Sequence, residues 1–419
     1  MTRTLPPWAQ ELLDGHPEGA RPSQADPMPA WLESELARVP LWARIRQTPE
    51  IRQRHPFLLI EDLRQQPELM RQVLELRSDL AALAHRLIDQ GIRHLVFTGC
   101  GSAFHSSQFG SFICRKWSGW TTESHDSLEF THHWAEGQEP TAVVVQSATG
   151  STAETIDAAR HASAHGLLTV ALTNTAGSAL EALCDETICF PTGQRCGPAV
   201  SVVTTRLMML YVLALEVGAA TGALRAHEAD ELANAIGHLP DAAAQFLREE
   251  DVNVSQIANA LHDQQALLVV GGGPNWFSAR EGALKVEEES SLLCKAYRPA
   301  GYLHNAIPVL SDTVGTVVVA PPGKTYGRLH DVVRTARAAR SSSLALVVEG
   351  DDAIAPDASF VIAVPGPISE LLMPPLAAVA FQLLGYYLGA ERGINPDTLR
   401  SDDLDHARAW LTAFPFGSQ

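Results

Sequence analysis

The chain has 419 residues, 46% of them hydrophobic and 19% charged, which is enough apolar material for two or three domains with real cores. Its formal net charge of -17 leaves no global basic field to hold nucleic acid or an anionic membrane, so any anionic ligand must be held by local geometry. Six scattered cysteines (Cys100, Cys114, Cys184, Cys189, Cys196 and Cys294) contain no CxxC pair and read as reduced thiols; with a polar, proline-rich start that lacks a signal-peptide core, they point to a cytoplasmic protein.

Residues 1–60 read as an N-terminal helical arm. "WLESELARVPLWARIRQ" and "EDLRQQPELMRQVLELRSDLAALAHRLIDQ" carry apolar residues at helical spacing and lead into a first core. A βα alternation follows: "HLVFTG" with a helix from Ser102, a short strand near Thr121, "TAVVVQS" with a helix from Thr152, then "LLTVALTN" and "ETICFP". The apolar helix "SVVTTRLMMLYVLALEVGAA" closes this unit. No uninterrupted apolar run is expected to reach the length of a membrane span.

After a helical connector over about 226–263 the pattern restarts with "ALLVVGGG" and a helix through "SAREGALKVEEESSLL". It continues with "GTVVVAPPG", a helix near 327–340, "SLALVVEG", "SFVIAVP" and the apolar helix "ISELLMPPLAAVAFQLLGYYLGA". The fold class is α/β: two doubly wound parallel-sheet units in tandem, over 61–225 and 226–394, with a polar tail at 395–419.

In such sheets ligands sit beyond the carboxyl ends of the strands. "GCGSAFHSS" (99–107) and "QSATGSTAET" (146–155) both fall at strand ends and offer glycines, small hydroxyl donors and a helix N-terminus, the components of a neutral phosphate cradle. The alternative is that these hydroxyls only cap helices. Further on, Glu281, Lys285 and Glu288 are spaced four and three apart and share one helix face, where Lys285 can bridge both carboxylates. Such a trio is either a solvated, salt-bridged surface or a half-buried acid–base cluster.

"TGCGSAFHSSQFGSFI", "VVVQSATGSTAETIDAARHASAHGLLTVALTN" and "AREGALKVEEESSLLCKAYRPAGYLHNAIPVL" together resemble the isomerase half of glucosamine-fructose-6-phosphate aminotransferase, built from two sugar isomerase (SIS) domains, over about 60–419. The resemblance implies two three-layer αβα SIS domains. It also implies a sugar 6-phosphate bound by Gly101, Ser102, Ser147, Thr149 and Thr152 and the Ala148 backbone, and Glu288 moving a proton between C1 and C2, with Glu281 and Lys285 matching further charged positions. A ring-opening histidine given by the neighbouring subunit would be His304 in "GYLHNAIP", with Asn305 the alternative in a shifted register. A homodimer is therefore expected, with no cofactor and no metal.

The chain also departs from that pattern. No cysteine follows Met1 and no glutaminase-like segment is present, so glutamine-dependent amination would require a separate glutaminase subunit. The family tail supplies an imine-forming lysine, whereas "NPDTLRSDD" holds Arg400 and no lysine follows Lys324; an arginine stays protonated and forms imines poorly. "GQRCGPAVSVVTTRL" also lacks the lysine usual there, with Ser201 near its place. His125, His132 and His133 fit no common metal spacing and read as surface. The leading expectation is a phosphorylated amino-sugar or ketosamine isomerase-deaminase. Alternatives are a fructosamine-6-phosphate deglycase, a plain aldose-ketose isomerase, a glutaminase-partnered synthase-like enzyme, and a non-catalytic sugar-phosphate sensor; with no helix-turn-helix region evident, a DNA-binding regulator is disfavoured.

Overall fold

The computed structural model describes residues 52, 54–135, 139–193 and 196–413. Most of the expected N-terminal arm, including "WLESELARVPLWARIRQ", lies outside them. Two helices, α1 (Leu59–Glu75) and α2 (Arg77–Asp89), precede the first sheet. That sheet comprises β1 (His94–Gly99), β2 (Thr121–Asp126), β3 (Thr141–Ser147), β4 (Leu168–Thr173) and β5 (Glu186–Cys189). Its strands are all parallel in the order β2-β1-β3-β4-β5. Between them run α3 (Ser102–Ser118), α4 (Ser127–His133), α5 (Ala153–Ala164) and α6 (Ala179–Leu183), and α7 (Ser201–Thr221) follows β5.

The connector is three helices, α8 (Ala226–Gly237), α9 (Leu239–Glu249) and α10 (Asp251–Leu261). The second sheet holds β6 (Ala266–Gly271), β7 (Leu293–Tyr297), β8 (Val314–Val319), β9 (Ser343–Val348) and β10 (Phe360–Val364). Its order, β10-β9-β8-β6-β7, is the first sheet's order read from the other edge, so the halves repeat one topology. Around it lie α11 (Asn275–Ser290), α12 (Pro299–Asn305), α13 (Tyr326–Ala338) and α14 (Met373–Glu391), and α15 (Leu404–Ala413) ends the described chain.

Two expectations are corrected. The helix expected through "SAREGALKVEEESSLL" stops at Ser290 because Ser291 turns left-handed at φ 54°, and Leu293 opens β7. The polar tail contains α15. One helix, Ser201–Thr221, is after all long and apolar enough to cross a membrane by composition, but 89% of its most apolar stretch is buried inside the protein.

The largest apolar cluster takes residues from both halves, including Phe97, Val144 and Leu210 of the first and Val269, Phe277 and Phe381 of the second. Two smaller clusters fill the outer faces, one around Val143, Val145 and Ala159 and one around Val270, Val318 and Val333. The sheets therefore share an inner core, and the helices between them, α3, α7, α11 and α14, meet at the junction of the halves.

Candidate active site

The strand order reverses between β1 and β3, and the two hydroxyl-rich loops leave those neighbouring strands, which are in register from His94 with Thr141 to Gly99 with Gln146. Gly101 turns the first loop into α3 at φ 54° and ψ -125°, a conformation open essentially to glycine. In the second loop Ser147 Oγ accepts from the Gly150 amide at 3.0 Å and lies 3.2 Å from the Thr152 hydroxyl. The Thr149 hydroxyl accepts from the Ser151 amide and hydroxyl, and the Ala148 carbonyl accepts from the Asn174 amide and the Thr173 and Thr175 hydroxyls. Neither Ser102 nor Thr152 caps a helix with its side chain. Cys100 Sγ, 3.7 Å from the Thr155 hydroxyl of α5, ties the first loop to the helix that follows the second.

At the matching reversal of the second sheet the loop after β8 is met by an acidic side chain of the chain itself. A Glu370 carboxylate oxygen accepts from the Lys324 amide at 3.1 Å, and it lies so close to Gly323 that a Cβ there would stand 2.1 Å from it.

Ser102, Glu281, Lys285 and Glu288 come together where α3 crosses α11. The Ser102 hydroxyl donates to Glu281 Oε1 at 2.9 Å, and His105 Nδ1 lies 2.8 Å from Glu281 Oε2. Lys285 Nζ is 3.6 Å from Glu281 and 2.5 Å from Glu288. Glu281 and Lys285 are buried, whereas the Glu288 side chain keeps 25% of its surface exposed. The trio is thus not a solvated helix face.

The electrostatics separate the two carboxylates. Burial works to raise the Glu281 pKa, but Lys285, His105 and Ser102 outweigh it and hold the group at about 2. Since an ionised carboxylate only accepts, His105 donates through Nδ1. Burial lifts Glu288 above its ordinary value against the pull of Lys285. The Lys285 ammonium would be weakened by burial, yet Glu288 and Glu281 more than restore it. Glu281 stays ionised and anchors the cluster, and Glu288, which burial shifts upward, is the member that takes up a proton more readily.

Glu288 faces a cavity of about 630 Å³ shared with Ser291, Leu399, Arg400, His406 and Trp410. The tail therefore lines an open cavity with the carboxylate, and Arg400 stands in that segment. His304 is not part of this assembly. It is exposed on α12 beside a groove lined by Leu303, Arg328 and Asp331, and Asn305 is exposed next to it. Among the described residues no group of three or more His, Cys, Asp or Glu is placed to hold a metal ion.

Two residues at the junction escaped the sequence reading. His105 stands three residues after Ser102, so helical spacing puts it on the same face. Arg206 interrupts the apolar α7, with its guanidinium 3.4 Å from the Ser106 hydroxyl and its Nε without a partner. Burial lowers its pKa to about 10 against the field of Glu281.

A family description, the SIS domain, matches residues 88–216. The chain carries an SIS domain. The second sheet repeats the first's topology, so the fold is that of two SIS units in tandem. A glutamine–fructose-6-phosphate aminotransferase (isomerizing) from Gloeobacter violaceus is 29% identical over 376 residues, 86% of this chain and 61% of that protein. The Mycobacterium tuberculosis protein of the same name is 26% identical over 75% of this chain and 52% of its own length. The chain thus spans between about half and three fifths of these two relatives. Among solved structures, the C-terminal domain of glucosamine-fructose-6-phosphate aminotransferase from Francisella tularensis superposes with a TM-score of 0.73 at 19% identity, covering 81% of this chain and 97% of that one. Tagatose-6-phosphate ketose/aldose isomerase from Escherichia coli gives 0.68 at 16% identity, covering 81% and 94%. Glucosamine-6-phosphate deaminase from Thermotoga maritima gives 0.59 at 18%, covering 78% and 96%. At such identities the structures attest the fold.

Proposed function

We propose that this SIS-domain protein is an isomerase-deaminase of a phosphorylated amino sugar or ketosamine. The observation that supports the reading is the Glu281–Lys285–Glu288 cluster, in which Glu288 alone reaches the cavity lined by the tail while a buried ammonium lies 2.5 Å from it. The Ser147–Thr152 loop and Gly101 would hold the 6-phosphate at the strand reversal, with Ser102 linking that loop to Glu281.

On an opened 2-amino aldose, the Glu288 carboxylate would take the proton from C2, leaving an enolamine, and return it to C1. The resulting C2 iminium adds water and loses ammonia, leaving the ketose phosphate. On a ketosamine, whose substituted amine sits on C1 beside a C2 carbonyl, the proton would move the other way, from C1 to C2; the resulting C1 iminium adds water and loses the amine, leaving the aldose phosphate. The relatives named as isomerizing aminotransferases support proton transfer of this type. Arg400, standing where the resemblance expects an imine-forming lysine, weighs against an imine formed there, and so against amine installation. Exposed His304 suits a residue that would act in a neighbouring subunit of a homodimer, which size-exclusion chromatography with light scattering would test.

The decisive assay incubates the protein with hexosamine 6-phosphates and fructosamine 6-phosphates, following ammonia or amine release. Glu288→Gln should lose at least about a thousandfold in turnover while still binding substrate. Binding without turnover by both proteins would instead favour a sugar-phosphate sensor.

A further inference from the structure

Among the described residues, four that are not glycine have a positive φ: Ser291 at 54°, Arg340 at 58°, Leu399 at 51° and Arg400 at 62°. Three of the four line the Glu288 cavity. Left-handed backbone is unfavourable for a β-carbon-bearing residue and persists where the surrounding structure imposes it, often at ligand sites. Here it places Arg400 beside Ser291, whose hydroxyl accepts from the guanidinium at 3.3 Å.

The charged groups around this cavity are otherwise matched. Glu288 is paired with Lys285, His406 lies 2.5 Å from Asp403, and Glu287 accepts from the Cys294 amide at 2.9 Å. Arg400 makes no ion pair within 4 Å among the described residues, although its charge helps to lower the Asp403 pKa from a greater distance; its one side-chain hydrogen bond among them goes to the neutral Ser291 hydroxyl. A half-buried guanidinium with an open fork is built for a bidentate oxyanion. On the proposed function the sugar phosphate sits in the neutral loops after β1 and β3, which leaves Arg400 to a second anion.

We propose that Arg400 receives a carboxylate borne on the amine substituent of the substrate, which makes it the specificity residue for amino-acid ketosamine phosphates. This rests on the reading of Glu288 as the proton-transfer base. Binding separates the two. By calorimetry, the fructosamine 6-phosphate of an amino acid is compared with that of the matching decarboxylated amine, using inactive Glu288→Gln protein with and without Arg400→Gln.

The carboxylated ligand should bind at least about tenfold more tightly when Arg400 is present, and Arg400→Gln should remove that preference while changing the decarboxylated ligand less than about twofold. Equal loss for both ligands would place Arg400 on the phosphate and overturn the proposal, as would no preference at all. Arg400→Lys, which keeps charge but loses the fork, should recover only part of the preference. The preference is readable even if neither compound turns over, in which case the catalytic reading falls and the carboxylate subsite stands.

Discussion

Lys285 decides what its two carboxylates can do. Its ammonium lies between them, 3.6 Å from Glu281 and 2.5 Å from Glu288, and it opposes the burial that would otherwise neutralise both. Removing it by Lys285→Met should raise the Glu288 pKa further. A base works only when deprotonated, so activity falls as pH drops through that pKa, and the acid limb of the kcat/KM profile should move up by about one to two pH units. Lys285→Arg, which keeps the charge, should move it less. An unmoved limb in Lys285→Met would mean that Glu288 is not the titrating base. At this scale the shared face of Glu281, Lys285 and Glu288 was legible, because it follows from local spacing. The environment of Glu281 was not: His105 lies 176 residues away in sequence, and only the crossing of α3 over α11 joins them.

At the scale of elements, strands and their loops could be read because β-branched runs alternating with helical periods leave few options for a parallel sheet. The repeat was legible for the same reason, though the strand order had to come from the fold. β7 was hidden, since a five-residue strand so soon after an acidic helix end has no period of its own. The fit of α11 against α14 was hidden too. Glu289 is buried against Gly385 and Gly389, where a Cβ on Gly389 would stand 2.2 Å from the Glu289 carbonyl oxygen. Neither of its carboxylate oxygens has a partner in ordinary hydrogen-bond geometry, and burial pushes its pKa well above the ordinary value. Its contribution to stability is thus fully present below the ordinary carboxylate pKa and is lost as pH rises through the folded value. Glu289→Leu should stabilise the protein by about 1–3 kcal/mol at neutral pH and remove that slope, as read by urea unfolding across pH. A less stable variant would show that the acid has a partner essential to the α11–α14 fit.

Across the whole molecule, the shared core explains how a site assembled from both halves keeps its geometry, and the tail is fastened to that core at one buried point. Asp397 accepts from the Leu58 and Leu59 amides at 2.9 and 2.7 Å and lies 3.6 Å from the Cys196 thiol, so one carboxylate joins the start of α1, the approach to α7 and the chain just before Arg400. These are long-range backbone contacts, and no residue pattern announces them. Asp397→Ala would leave two buried amides without acceptors, a loss of about 2–4 kcal/mol that calorimetric melting should show as a lower Tm. Asp397→Asn retains one acceptor oxygen and should lose less. Because Arg400 follows by three residues, the alanine variant should also weaken binding of the carboxylated ligand more than that of its decarboxylated match. A lower Tm with both ligands weakened equally would mean that Asp397 stabilises the fold without holding the tail over Glu288.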